Sequence, residues 1–393
     1  MSKYNKTDRQ PVEAAYIHVP FCRQKCGYCD FISLAGAEHL MTDWHRALKN
    51  EIEAAWRQAE KESYSAKLKT IYFGGGTPSL LSPKQVAEII DLLNNRFGLA
   101  EDCEITLETN PATLGAGDYL LMRQSGVNRL SLGMQAAQDR LLKKLGRIHT
   151  VQDSITAIKQ AEAAGFERIS TDMIIGLPDQ TVQDVSETLD LILSLPVEHV
   201  SYYSLILEEG TPFYRCYIDH PELLPDEDAE REMYHLIIDR LNQAGFVNYE
   251  ISNAARPGGE SRHNLVYWQA KQYYGFGPAA HSYIGNVRRG NTEDVKNYIQ
   301  AWSASDNGYT VSHIDEVLDN DDMQREMMML GLRLLEGVSR AGFAERYGSD
   351  PLDVFTNEIS VLQKQGLIQV DDDLIHLTDR GLDFANIVFR EFV

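Results

Sequence analysis

The sequence contains no long uncharged apolar run. Nowhere do its hydrophobic residues approach the roughly 18 consecutive positions of a membrane-crossing helix. Cysteine is scarce, five in 393 residues, which excludes a disulfide-stapled scaffold. Positive charge is also in deficit: 37 Lys and Arg against 58 Asp and Glu leave a net charge of −21. That balance argues against a nucleic-acid backbone as the main partner and against a polybasic membrane anchor. The polar start, Met1 to Pro11, lacks the apolar core of a signal peptide, so the expected location is the cytoplasm. With 43% hydrophobic and 24% charged residues, the rest is ordinary globular composition, and the length suits one large domain plus one smaller one, or two of middling size.

The first half alternates short β-branched runs with helical stretches. Residues 14–19, 70–73, 104–107, 129–132, 169–174 and 200–205 read as strands. Helical patterns fill about 39–61, 84–97, 119–124, 139–145, 151–163 and 182–195. Gly126, Gly165 and Gly245 stand just past such stretches, where a helix C-cap favours positive φ. Six βα repeats predict an α/β fold with a parallel sheet, a partial (β/α)6 barrel; a doubly wound open sheet is the alternative.

Chemistry in such folds sits at the C-terminal ends of strands. Three cysteines follow the first strand, and Gly74-Gly75-Gly76-Thr77-Pro78 follows the second. Glu108 ends the third, Gln135 follows the fourth, Asp172 lies in the fifth, and Glu208–Pro212 follows the sixth. The polar and glycine signals therefore fall on one rim. Beyond it, residues 216–320 read as an α+β extension. Residues 321–393 give helices and a two-stranded hairpin with the acidic tip Asp371–Asp373, a winged-helix-like module whose tip disfavours DNA.

Cys22-x₃-Cys26-x₂-Cys29 is the sharpest signal. Thiolates ligate iron–sulfur clusters, and three on one tight loop hold three irons of a cubane and leave the fourth open. A structural zinc site and three unrelated thiols are the other readings; zinc usually takes a fourth Cys or His. The glycine run lets the backbone approach a ligand closely and offers unobstructed N–H groups. Glu108 is suited to accept hydrogen bonds from hydroxyls or an amine, or else is a solvated strand-end acid. Arg147 suits an anion or a surface acid equally.

The cysteine spacing after the first strand of such a barrel resembles the radical S-adenosylmethionine (SAM) superfamily. The resemblance implies a [4Fe–4S] cluster on Cys22, Cys26 and Cys29 whose open iron chelates SAM, and reductive cleavage of SAM to a 5′-deoxyadenosyl radical. It implies SAM contacts from Tyr16, Tyr28, Gly75, Gly76, Thr77, Glu108, Gln135, Arg147 and Asp172, and a flavodoxin or ferredoxin as electron donor. Within the superfamily, Tyr16–Cys22, Leu132–Gln135, Asp172–Pro178 and Glu208–Phe213 are similar to the anaerobic coproporphyrinogen III dehydrogenases. Those enzymes continue the motif as C-x₃-C-x₂-C-x-C; here Phe31 stands at the last position.

That departure fits the sister branch, the HemW-type haem chaperones, as does His263-Asn264-Leu-Val-Tyr267-Trp268. The branch implies haem as ligand and haem-acceptor proteins, respiratory ones among them, as partners. An imidazole can ligate haem iron and flat aromatics can pack on a porphyrin, so His263, Asn264, Tyr267 and Trp268 are the candidate haem residues. A histidine capping a loop over core aromatics is the plainer reading. The alternative function is an oxygen-independent coproporphyrinogen III oxidase, which converts two propionates to vinyls, but no basic cluster suited to four propionates is evident. His18 reads as a buried support near the cluster, Cys103 as packing, and Met327–Met329 as core.

Overall fold

The structure is a computed structural model; it describes residues 10–62, 65–303 and 308–393. The N-terminal stretch up to residue 9 lies outside them. Six parallel strands form the centre: β1 (Val12–Val19), β2 (Ser65–Gly75), β3 (Leu99–Thr109), β4 (Arg129–Gln135), β5 (Arg168–Ile175) and β6 (His199–Ser204). They lie side by side in sequence order, joined by helical crossovers. The expected barrel repeat is therefore present, with five of the six strands longer than the apolar runs suggested. The reason is polarity. Along each strand an outward apolar set alternates with an inward polar one, and only the outward set reads as strand by hydropathy. Ile71, Phe73, Ile105, Leu107, Leu130 and Leu132 face out into a core shared with Trp44, Leu48, Ile89 and Leu93 of the covering helices. Inward stand Thr70, Tyr72, Thr106, Glu108, Ser131, Asp172 and Ser201.

The helices are stopped and started by local chemistry. Ser82, Thr150 and Thr181 each cap a helix with their side chains and donate their backbone N–H to the side chains of Gln85, Asp153 and Asp184 in return. Gly126, Gly165 and Gly245 have φ of 107°, 86° and 83°, as their place after helices requires.

The sheet does not end with the six strands. The later chain adds β7 (Val247–Glu250), β8 (Asn253–Ala255) and β9 (Tyr274–Phe276), giving the order β9-β1-β2-β3-β4-β5-β6-β8-β7 among the described residues. β9 is parallel to β1, while β8 is antiparallel to β6. The stretch 216–320 is thus partly barrel, because it supplies both sheet edges. It also carries a separate three-stranded antiparallel sheet of β10 (His281–Ile284), β11 (Val287–Asn291) and β12 (Ser312–Val317). The last 70 or so residues have a core of their own around Met328, Phe343, Phe355, Leu362 and Phe392. There β13 (Val338–Ser339), β14 (Ile368–Val370) and β15 (Leu374–Leu377) form a small sheet beside helices Asn320–Gly331, Arg340–Tyr347 and Thr356–Lys364, a winged-helix-like order. Among the described residues no helix is long and apolar enough to cross a membrane.

Candidate functional site

The C-terminal ends of the six strands surround a cavity of about 500 Å³. Cys22, Cys26, Cys29, Tyr28, Gly75, Gly76, Thr77, Glu108, Gln135, Arg147 and Asp172 all line it. These residues come from five different strand ends, and the parallel topology brings them to one rim. Tyr16 is the exception among the expected SAM residues. Its hydroxyl pairs with His18 Nδ1 at 3.1 Å and its ring stacks on Tyr72, so it supports the wall from behind and is not part of the lining.

The cysteine loop is held from two sides. Thr77 Oγ1 donates to Cys22 Sγ at 3.4 Å, and Arg147 Nη1 donates to Cys26 Sγ at 3.6 Å. Gly27 N–H donates to Leu145 O, tying the loop to the helix Asp139–Leu145. His18 Nε2 contacts Ile32 O at 2.8 Å, so this buried histidine anchors the chain after the cysteines, the support expected of it. Burial pushes the Cys29 thiol up to about 11. Coordination requires the thiolate, so metal binding and deprotonation at Cys29 are linked. Among the described residues no three His, Cys, Asp or Glu side chains are grouped so as to hold a single metal ion. A cubane asks for something wider, one thiolate on each of three irons, and all three cysteines border the cavity.

The glycine strip differs from expectation in one respect. Its N–H groups are not open to a ligand: Gly75 N donates to Glu108 Oε2 at 3.2 Å, Gly76 N to Val19 O and Thr77 N to Phe21 O. The need for glycine is steric. Gly75 has a φ of 104°, and a Cβ on it would sit 2.5 Å from the His18 ring; one on Gly76 would sit 2.7 Å from Phe21 O. The strip therefore threads between the end of β1 and the cavity.

Two carboxylates dominate the interior electrostatics. Glu108 accepts from Tyr72 OH at 2.8 Å as well as from Gly75, and burial still pushes it up to about 7. Asp172 accepts from Ser131 Oγ at 3.1 Å and is pushed up to about 6, again by burial. Each is short of positive partners and suited to a ligand that brings cationic or hydroxyl groups. Arg147 bonds Gly133 O and Cys26, yet its Nε is buried with no hydrogen-bond partner. Gly133 permits this approach, since a Cβ there would lie 2.6 Å from Arg147 Nη2. Gln135 sits at φ 69°, an uncommon conformation for a non-glycine residue, and accepts from Tyr203 OH at 3.3 Å.

The donor set fits a [4Fe–4S] cluster with SAM. Three thiols would hold the cluster, two under-partnered acids would meet the amine and hydroxyls, and an arginine with an orphaned N–H stands beside them for a carboxylate. Sequence reasoning missed Tyr72, Ser131, Ser201 and Tyr203, which hold or flank these acids. The period-two alternation within the strands was the signal that could have found them.

His263-Asn264-x-x-Tyr267-Trp268 lies on the helix Arg262–Trp268 and is divided by the fold. Asn264 reaches the cavity. His263 is 1% exposed, with Nδ1 on Thr70 Oγ1 at 2.8 Å and Nε2 on Tyr267 OH at 2.9 Å. Burial lowers its pKa to about 3, so it stays neutral, and both ring nitrogens are occupied. The helix start is fixed by the buried Glu104, which accepts from the N–H groups of Arg262 and His263. Trp268 packs under the Arg333 guanidinium, 4.3 Å from its ring centre, and so ties this helix to the C-terminal region. Axial ligation by His263, as expected from sequence, is closed in this arrangement: the imidazole serves as a strut behind Tyr72, on which it stacks at 5.1 Å.

A model of the Radical SAM superfamily matches residues 16–192, and one of the HemN C-terminal domain matches residues 318–384. A Bacillus subtilis (strain 168) protein named "Heme chaperone HemW" is 38% identical over 383 residues, covering 97% of this chain and 99% of its own. An Escherichia coli (strain K12) protein of the same name is 34% identical, with 98% of each chain covered. The solved structure of coproporphyrinogen III oxidase (HemN) from Escherichia coli matches with a TM-score of 0.83 at 22% identity, over 98% of this chain and 91% of that one. At that identity the likeness establishes the fold.

Proposed function

Since the chain belongs to the radical SAM superfamily and, within it, to the family of the HemW haem chaperones, we propose that it binds haem and delivers it to acceptor proteins. The observation that carries this reading is the identity of 34% to 38% with relatives of that name over almost the whole chain. The family implies a [4Fe–4S] cluster and SAM, and Cys22, Cys26 and Cys29 would hold the cluster. When bound, the pair supplies one-electron reductive cleavage of SAM. The chain's own part is to position. Glu108 and Asp172 would accept from the SAM amine and ribose hydroxyls, Arg147 would pair with its carboxylate, and Tyr28 would pack on its adenine.

Haem in this reading docks at the cavity mouth rather than on His263. Phe31 and Ile206 both line the mouth and are 59% and 67% exposed, an apolar rim for a flat macrocycle. Phe31 also occupies the place where the oxidase resemblance would require a fourth cysteine. The chaperone reading is therefore favoured over the porphyrinogen oxidase. Acceptor proteins and a flavodoxin or ferredoxin donor complete the proposal.

The test is an anaerobic assay of cluster-reconstituted protein with SAM and reductant. One arm adds haem and then an apo-acceptor; another adds coproporphyrinogen III. Haem is expected to bind and pass to the acceptor, with no protoporphyrinogen formed. Protoporphyrinogen accumulating over many turnovers would make the protein an oxidase.

A further inference from the structure

The charges around the cluster cavity are unevenly shared. Four acids line it, Asp30, Glu108, Asp172 and Glu208, against two cations, Lys25 and Arg147. Arg147 is taken up by Cys26 Sγ and Gly133 O, and Glu108 and Asp172 lie inside on hydroxyl partners. Lys25 and Asp30 are exposed, and Glu208 is half-buried, so these three set the charge of the opening. The Lys25 ammonium has no ion-pair or hydrogen-bond partner among the described residues. Arg23, two positions earlier, is exposed as well, but it does not line the cavity and its Nη1 donates to Ala112 O at 3.0 Å.

The free cation and the apolar rim stand on different arms of the cysteine loop. Lys25 lies between Cys22 and Cys26, on the arm that Gln24 ties to Gly146 O at 3.0 Å. Phe31 follows Cys29, on the arm that His18 holds through Ile32 O. Each rim residue has an acid close by in the chain: Asp30 directly precedes Phe31, and Glu208 is two positions after Ile206. The rim is therefore apolar with negative charge beside it, and the free positive charge is elsewhere on the opening.

Haem is asymmetric in the matching sense. One edge carries methyl and vinyl groups, and the other carries two propionates, which are anionic at neutral pH. We propose that Lys25 binds a haem propionate and so fixes the orientation of the macrocycle, with its apolar edge on Phe31 and Ile206. This rests on the reading that haem docks at this opening. A propionate turned toward the rim would stand beside Asp30 and Glu208 and be repelled; at Lys25 it meets an ammonium with no competing partner. The charge count also sets the class of ligand. One free cation serves a macrocycle with propionates along a single edge, and leaves the four propionates of a coproporphyrinogen largely unmatched.

The test titrates haem, and in parallel haem dimethyl ester, into cluster-loaded wild type, K25A, K25R and R23A. Iron and sulfide content is measured first for each, because burial raises the Cys29 thiol and Lys25 is among the charges that oppose this. K25A is expected to weaken haem by about threefold, the range of an exposed ion pair, and to leave the ester unchanged. K25R and R23A should both match the wild type. Raised salt should narrow the difference between haem and ester in the wild type and do nothing to K25A. A fifth protein, F31S/I206S, should weaken haem and ester alike. Equal haem affinity in wild type and K25A, with F31S/I206S weakened, would overturn the proposal and leave haem at the opening. Weakening of haem and ester alike in K25A would overturn it too, since Lys25 would then act through the cluster or the fold. Wild-type affinity in both K25A and F31S/I206S would overturn the docking reading itself.

Discussion

In the loop from Cys22 to Cys29 the metal-seeking atoms face a cavity; in the helix Arg262–Trp268 they face the core. Both motifs are sharp in sequence, and both combine metal-ligating side chains with an aromatic. The difference lies in what surrounds them. The thiols receive one weak hydrogen bond each at Cys22 and Cys26 and otherwise border a space large enough for a cofactor. The imidazole of His263 has a hydroxyl on each nitrogen and a tyrosine ring on its face. A ligand atom is available when its lone pair points at a space, and unavailable when a hydrogen bond already fills that direction. Spacing along the chain does not distinguish the two cases.

The largest effect that would sharpen this contrast is at the thiols. Cys26→Ala is expected to abolish reconstitution of the cluster, read as loss of iron, sulfide and visible absorbance, whereas the exposed Cys216 replaced by Ala keeps all three. Full iron loading of Cys26→Ala would break the assignment of the cavity.

The next effect is on stability rather than on ligand. Removing the His263 ring leaves the Thr70 and Tyr267 hydroxyls without partners beside a void, which costs about 2–4 kcal/mol. His263→Ala should therefore lower the denaturation midpoint markedly, while the folded fraction binds haem as before. A folded His263→Ala protein that has lost its haem spectrum would reverse the contrast and return His263 to the ligand set.

The smallest expected effect tests the acids. Glu108 is pushed up to about 7, so its anion, the form that pairs with a cationic ligand, is lost as pH falls below that value. SAM affinity should rise with pH from about 6 to 8. Glu108→Gln should weaken SAM by the equivalent of about 1.5–3 kcal/mol, a hydrogen bond to a charged group, and flatten that dependence. The sign for stability is opposite. A carboxyl that is harder to ionise folded than unfolded holds an extra proton in the native state between its two pKa values. SAM-free protein thus loses the contribution of Glu108 and Asp172 as pH rises toward 7. Calorimetric SAM titrations across this range that stay flat in the wild type would remove Glu108 from the site.

Much of this molecule is legible in one dimension. The outward halves of the six strands, the covering helices and their glycine stops follow from hydropathy period and backbone freedom, which are local properties. The rim followed too, because parallel βα topology sends every strand's C-terminal end to the same side. Eight of the nine expected SAM residues line the cavity for that reason. What the chain order could not show is where a side chain's free valence ends up. Tyr16 and His263 lie within or beside the same barrel, yet one pairs with His18 and the other with Thr70 and Tyr267. The glycine N–H groups are likewise taken by β1 and Glu108. Such partners are joined across more than 190 residues in the case of Thr70 and His263, and only the packed fold brings them within bonding distance. The sequence by itself determined the chassis and the cysteine triplet on its rim, because those depend on local pattern. Tertiary structure alone decided which polar atoms remain open, because availability is set by contacts between distant segments.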